Sequence, residues 1–80
     1  MGNNYSTLVE NGLNPNIIDE VSEDVTYLGF AKGGDLTKCA IVRIATTGTI
    51  RRFECPQNGL FEFDKDWSER ANYTYQLRKI

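Results

Sequence analysis

Apolar residues recur along the middle of the chain, on both sides of a short turn. Between residues 39 and 55, two runs with β-branched residues flank Thr46, Thr47 and Gly48. β-Branched runs are typical of strands, and a glycine-containing turn between two such runs is typical of an antiparallel hairpin. The sequence therefore predicts a hairpin of residues 39–45 and 49–55.

The turn leaves two hairpin registers open. In a three-residue loop, Gly48 is the last loop residue and Arg43 faces Arg51, whereas a two-residue loop places Val42 opposite Phe53. We favour the three-residue loop, because glycine at its last position fits a type I turn with a G1 bulge. This register opposes two like charges, which destabilises a sheet. It therefore predicts an anionic partner for this face, and the acidic N-terminal segment is the nearest candidate.

Further β-forming runs lie on both sides of the hairpin. Residues 25–31 predict a strand, in which Gly29 indicates a bulge or the close approach of another group. The turn at residues 56–59 ends in Asn-Gly, a strong hairpin signal, and predicts a short strand over residues 60–63. Alternation predicts a last strand over residues 72–78. The fold class is all-β: a small twisted antiparallel sheet or partly open barrel of about five strands.

One helical turn is predicted shortly before the last strand. Asp66 followed three residues later by Glu69 resembles a capping box. Trp67 lies inside this turn and is the single tryptophan of the chain. In so small a domain we expect Trp67 to cover the core, with Arg70 stacked on its ring.

Charge divides the chain into two parts. Residues 1–24 contain five acidic and no basic residues, whereas residues 25–80 contain all nine basic residues and six acidic ones. Apolar residues lie among the acids, which indicates a segment that docks rather than a solvated tail. We therefore divide the chain into an acidic N-terminal arm and a β domain. Asn14 as N-cap and Pro15 at the first helical position predict a short helix over residues 15–22 of the arm.

The opposite charges of arm and domain favour docking of the arm on arginines of a neighbouring subunit. A chain of this length has a small core and often depends on other subunits, so we expect a homo-oligomer or several copies in an assembly. No stretch has the pattern of a signal peptide or a membrane span, so no membrane association is expected. The predicted partner-binding residues are Leu8, Val9, Leu13, Ile17, Ile18, Arg43, Arg51 and Arg52.

Candidate catalytic and metal-binding groups are few. The chain has no histidine, so its serines and cysteines lack the usual general base, and a zinc site lacks its usual nitrogen ligands. The carboxylates within residues 62–69 alternate with Lys65 and Arg70, which is typical of a solvated turn. Cys39 and Cys55 are expected to be free and buried. The sequence therefore predicts no enzyme, no metal and no cofactor.

Nucleic-acid binding by a small β-barrel is an alternative that the residues leave open. Basic side chains and nearby aromatic rings are the groups that contact phosphates and stack on bases. The net charge of −2 argues against this alternative, because nucleic-acid-binding domains are usually strongly basic. The basic residues in question are Arg43, Arg51, Arg52, Arg70, Arg78 and Lys79.

Several segments resemble small uncharacterised virion-associated proteins of tailed bacteriophages. The similarity follows Tyr27-Leu28-Gly29, Ile41-Val42-Arg43-Ile44, the Thr-Thr-Gly turn, Phe61 to Phe63, and the run from Trp67 to Tyr75. That family often carries a tryptophan near the start of the second strand, where this chain has Cys39 and Ala40.

The resemblance implies a structural protein of the head, neck or tail, such as an accessory or decoration subunit. Its partners would be other virion proteins, and its location the virion and, during assembly, the host cytoplasm. A small phage regulator that inhibits a host protein is a further alternative, because a domain of this size can also act by occupying one partner's surface.

Overall fold

The computed structural model describes residues 12–79, which form an open five-stranded antiparallel sheet. The strands are neighbours in space in the same order as in the sequence. They are β1 (Ile17–Glu20), β2 (Val25–Ala31), β3 (Cys39–Thr47), β4 (Ile50–Pro56) and β5 (Tyr75–Leu77). Single 3-10 turns lie at Lys32–Gly34 and Trp67–Glu69. The predicted all-β class is confirmed, and the helical turn at Trp67 is where the sequence predicted it.

The central strands β2 and β3 are buried on both sides, because one apolar cluster covers each face of the sheet. The Trp face consists of Tyr27, Ala31, Cys39, Ile41 and Trp67, with Ile17, Val25, Leu36, Tyr73 and Tyr75 packed against them. The Phe face consists of Leu28, Phe30, Ala40, Val42, Ile44 and Cys55, with Phe53, Phe61 and Phe63 packed against them. Cys39 and Cys55 form no disulfide and are fully buried on opposite faces.

The hairpin register differs from both alternatives that the sequence left open. Thr47 pairs with Ile50, so the loop consists of residues 48 and 49. Gly48 has a φ of 61°, and glycine with positive φ at the first of two loop positions is typical of a type II′ turn. The prediction that Arg43 faces Arg51 is therefore wrong. Arg43 pairs with Glu54, which replaces the expected repulsion by attraction.

The helix predicted over residues 15–22 is wrong, because this segment forms β1 along the edge of β2. Ile17 pairs with Gly29 and Glu20 with Thr26. A helix of two turns is unstable without packing, whereas pairing with β2 satisfies the backbone and suits the adjacent β-branched residues. Asn14, the predicted N-cap, therefore begins no helix. Two residues later, the side-chain oxygen of Asn16 accepts a hydrogen bond from the backbone N–H of Ala31 at 2.7 Å.

The strand predicted over residues 60–63 is also wrong. The free side of β4 is taken by β5, because Cys55 pairs with Gln76. The segment 60–63 therefore crosses the Phe face as a loop. Phe61 and Phe63 point into the core there, and their rings contact each other edge to face at 5.3 Å.

Candidate interaction surface

Trp67 covers the Trp face and forms its lid. Gly29 of β2 leaves the space that the Trp67 ring occupies. A methyl group on Gly29 would lie 2.8 Å from two carbons of the Trp67 ring and 2.6 Å from Cγ2 of Ile17. Only glycine therefore lets the ring approach the β2 backbone this closely. The backbone N–H of Trp67 donates to the carbonyl of Leu36 at 2.8 Å, which ties the lid to the loop before β3.

The turn that carries Trp67 is capped by side chains. The Asp66 carboxylate accepts a hydrogen bond from the backbone N–H of Ser68 at 3.0 Å, as the predicted N-cap requires. The Asp66 N–H donates to the hydroxyl of Tyr73 at 2.9 Å, where a full capping box would use Glu69. The capping residue was thus predictable, whereas the tyrosine that completes the cap was not.

Arg70 joins the lid to the first strand. Its Nε and Nη2 donate to one oxygen of Asp19 at 3.1 and 2.9 Å, and its Nη1 donates to the carbonyl of Trp67. The guanidinium carbon lies 4.6 Å from the centre of the Trp67 ring, so the predicted stacking is confirmed. Asp19 belongs to the acidic arm, and its charge is therefore used within the same chain.

A second arginine network lies on the same face, near the β3–β4 hairpin. Nη2 of Arg43 lies 2.7 Å from Oε1 of Glu54, and Nε of Arg52 lies 3.4 Å from Oε2. Arg43 also stacks on the ring of Tyr75, with its guanidinium carbon 4.3 Å from the ring centre. Arg52 donates to the hydroxyl of Thr47 at 3.0 Å. Glu54 therefore supplies the anion that the sequence led us to expect from a partner.

The Tyr75 hydroxyl and the Cys39 thiol, both on the Trp face, have raised pKa values. Burial raises the pKa of the Tyr75 hydroxyl above its ordinary value, with smaller contributions from Tyr27 and other neighbours that outweigh the lowering by Arg43. That hydroxyl donates to the carbonyl of Arg70 at 2.7 Å. Burial, followed by the charge of Asp66, also raises the pKa of the Cys39 thiol. Neither group is therefore suited to act as a base or a nucleophile near neutral pH.

Exposed apolar side chains lie beside charged ones at two places along the sheet, and the first is an acidic edge. We define it as Ile18, Glu20, Val21, Glu23 and Asp24, on β1 and the turn that follows. Val21 is 58% exposed and Ile18 is 40% exposed, and the three acidic residues are exposed as well. Apart from Asp19, residues 17–24 form no ion pair with any part of the chain that the structure describes.

The second is a basic edge on β4 and the end of β5. We define it as Ile50, Arg51, Arg52, Leu77 and Lys79. Leu77 pairs with Glu54, and the backbone N–H of Arg78 donates to Phe53, so residues 77–79 run along β4 toward its two arginines. Ile50 and Leu77 are 64% and 62% exposed. Arg51 is exposed and has no ion pair within residues 12–79.

The predicted partner-binding residues are therefore distributed among different environments. Ile17 packs under Trp67 in the Trp face, and Arg43 is held by Glu54. Leu13 and Ile18 are each 40% exposed. Arg51 and Arg52 lie on the basic edge, whereas Leu8 and Val9 lie outside the described residues. The anionic partners of Arg70 and Arg43 were missed, because neither pair is adjacent in sequence; the correct hairpin register would have indicated Glu54.

Among residues 12–79, no three histidine, cysteine, aspartate or glutamate side chains are grouped so that they could hold a metal ion. Within the same residues, no helix has the length and apolarity to cross a membrane.

Comparisons with protein-family models, with curated proteins and with solved structures give no match for this chain.

Proposed function

We propose that this chain is a non-enzymatic structural subunit of a tailed-phage virion, an accessory or decoration protein of the head, neck or tail. The observation that carries the proposal is the role of the residues that resemble the phage family. Among these residues, Trp67 is the lid of the Trp face. The hydrogen bonds around it are made by Arg70, Tyr73 and Tyr75. A motif that builds a fold instead of a reactive cleft supports a protein that acts through its surface.

The distribution of charge gives further support. The arginines nearest the core are engaged within the chain, Arg43 by Glu54 and Arg70 by Asp19. Phosphate binding would need arginines that are not already paired with carboxylates. The pairing of Arg43 and Arg70 therefore argues against the nucleic-acid alternative. The exposed features are instead two edges that combine apolar and charged side chains, a composition typical of protein contacts.

Mass spectrometry of purified particles tests the proposal directly. We expect the chain to copurify with the particle through a density gradient, at a constant ratio to a major structural protein. A chain that is absent from particles and forms a tight one-to-one complex with a host protein would establish the regulator alternative instead.

The contribution of the arm is tested by deleting residues 1–11, which leaves β1 intact. The arm hypothesis expects less incorporation into particles, because Leu8 and Val9 would no longer reach a neighbouring subunit. The double variant Leu8→Ser with Val9→Ser should show the same loss. Replacing Asn3 and Asn4 by serine is the matched control, and unchanged incorporation of the deletion variant would reject the role of the arm.

The nucleic-acid alternative is tested by titrating DNA and RNA at two salt concentrations. Phosphate contacts release counterions, so binding that depends on them weakens steeply as salt rises. We expect no salt-dependent binding by the wild-type chain. A steep dependence that is lost in the variant Arg51→Glu would favour the nucleic-acid function over the structural one.

A further inference from the structure

We infer that copies of this chain associate side by side, with the acidic edge of one copy against the basic edge of the next. This inference rests on the proposed structural function and specifies the partner of each edge. The two edges lie on opposite sides of the sheet, because β1 is one outer strand and β5 is the other. A contact between them is therefore one that a single copy cannot make with itself.

Charge is the first reason for this pairing. Residues 12–24 carry four acidic residues and no basic one, and only Asp19 is neutralised within the described chain, by Arg70. The segments 50–56 and 75–79 carry four basic residues and one acidic residue, Glu54. Opposite charges on two surfaces of one molecule attract between copies and orient their approach.

Apolar exposure is the second reason. Val21 and Ile18 lie among the carboxylates of the acidic edge, and Leu77 and Ile50 lie among the cations of the basic edge, each 40–64% exposed. Protein contacts usually combine apolar and charged side chains. Both edges do so with opposite signs of charge, so each offers the other a complementary surface.

The edges themselves argue against the simplest alternative, in which two identical β1 strands pair. Such a contact would bring together two segments that each carry only acidic charges, and like charges on facing strands are destabilising. The outer side of β5 is also blocked, because the carbonyl of Gly59 accepts from Lys79 at 2.8 Å. A methyl group on Gly59 would lie 2.6 Å from the carbonyl oxygen of Leu77. The contact therefore uses side chains, not a continuous ladder of backbone hydrogen bonds.

An edge-to-edge contact of unlike surfaces is heterologous, so it generates a ring if the rotation closes and a filament if it does not. Both outcomes place many copies around or along an assembly, as the proposed function requires. Each copy in such a ring or filament is held by two contacts, one on each edge, which strengthens its attachment.

Charge reversal of each edge provides the test. The first variant combines Glu20→Lys with Glu23→Lys, which makes both edges basic. The second combines Arg51→Glu with Lys79→Glu, which makes both edges acidic and leaves the Arg43–Glu54 pair in place. Glu62→Lys and Lys38→Glu are the matched controls, because both side chains are exposed and lie on neither edge. Circular dichroism and thermal unfolding establish that each variant is folded.

Sedimentation velocity of the full chain over a range of concentrations measures the association. We expect the wild type to form oligomers that dissociate as salt rises. Each reversed variant alone should associate at least about tenfold more weakly, and the controls should resemble the wild type. An equimolar mixture of the two reversed variants should associate again, because each then finds the opposite edge on the other.

Three results would overturn the inference: a wild type that stays monomeric at about 1 mM, controls that weaken association as much as the reversed variants, or a mixture that fails to restore it. Each leaves the proposed function to its own test. A chain found in purified particles yet monomeric in solution would keep the structural role and reject the contact between copies. A chain that forms salt-sensitive oligomers yet is absent from particles would do the opposite.

Discussion

The Trp face contains polar groups that make directed contacts, whereas the cluster on the Phe face is apolar throughout. On the Trp face, the Arg70 guanidinium donates to the carbonyl of Trp67, and the Tyr75 hydroxyl donates to the carbonyl of Arg70. On the Phe face, Phe30 and Phe61 meet edge to face with ring centres 5.1 Å apart. Both clusters exclude water, and the cover of the first is in addition held by hydrogen bonds and an ion pair.

The difference indicates that the Phe face mainly supplies stability, whereas the Trp face mainly fixes the position of the lid. Burial of apolar area is the larger source of stability, but it is non-directional and tolerates rearrangement. Hydrogen bonds contribute less to the free energy of unfolding, but they favour one arrangement over others, because a buried polar group without a partner is costly. We therefore expect substitutions on the Phe face to change mainly the free energy of unfolding, and substitutions around the lid to change mainly its position.

The largest effect is expected from Phe30→Ala, at the centre of the Phe face. The side chain is 1% exposed, and removal of a buried phenylalanine costs about 3–5 kcal/mol of unfolding free energy. Urea unfolding followed by circular dichroism measures this change. Because a small domain has little stability to lose, Phe30→Leu serves as a second variant, with an expected loss of about 1.5 kcal/mol or less. A loss below about 1 kcal/mol for Phe30→Ala would contradict the assigned role of this face.

A smaller effect is expected from Gly29→Ala, which tests the fit of the lid. The added methyl group would collide with Trp67 and Ile17, and overpacking of this kind costs about 1–3 kcal/mol. The near-ultraviolet circular dichroism of the single tryptophan should change as well, because the ring must move. Combining Gly29→Ala with Ile17→Ala should cost less than the sum of the two single variants, since the two groups collide. Simple additivity would show that the close approach has no energetic consequence.

The parts of the fold that the sequence predicted are those determined by local patterns. The strand over residues 25–31, the turn at Trp67 and the stacking of Arg70 all follow from residues close together in the chain. The close approach at Gly29 was predictable in kind, because glycine within a strand indicates it. The ring that makes the approach comes from a distant segment, and the local pattern does not contain it.

The errors arose where distant partners decide the structure. The local helix signal at Pro15 was overridden by pairing of β1 with β2, and the strand predicted over 60–63 lost its place beside β4 to β5. The hairpin register depends on attraction between Arg43 and Glu54 as well as on the turn. Asp19 is 51 residues away from Arg70, so this part of the candidate site was not accessible to local reasoning.

An intermediate effect is expected from Arg70→Met, which removes the link between the lid and β1. The ion pair with Asp19 is partly exposed, with side-chain exposures of 27% and 35%, and contributes about 1 kcal/mol or less. Loss of the contact with the Trp67 ring adds about 0.5–1 kcal/mol. Arg51→Met is the matched control and should change the unfolding free energy by less than about 0.5 kcal/mol. Equal losses for both variants would show that Arg70 is no more than a surface charge.

The smallest effect at neutral pH, and the most specific, is expected from Tyr75→Phe. The variant loses the hydrogen bond to the carbonyl of Arg70, which is worth about 1 kcal/mol. It also changes the dependence of stability on pH. Burial raises the pKa of Tyr75 in the folded state, so its protonated form is favoured there more than in the unfolded chain.

The stability that comes from this shift is complete below the unfolded pKa of about 10 and is lost as the pH rises from there through the folded value. The wild type should therefore lose unfolding free energy between about pH 9.5 and pH 11 more steeply than Tyr75→Phe, as measured by urea unfolding at each pH. All other side chains are the same in both proteins, so the difference between the two slopes isolates Tyr75. Parallel slopes would mean that the hydroxyl is open to solvent and that the Trp face is less closed than its contacts indicate.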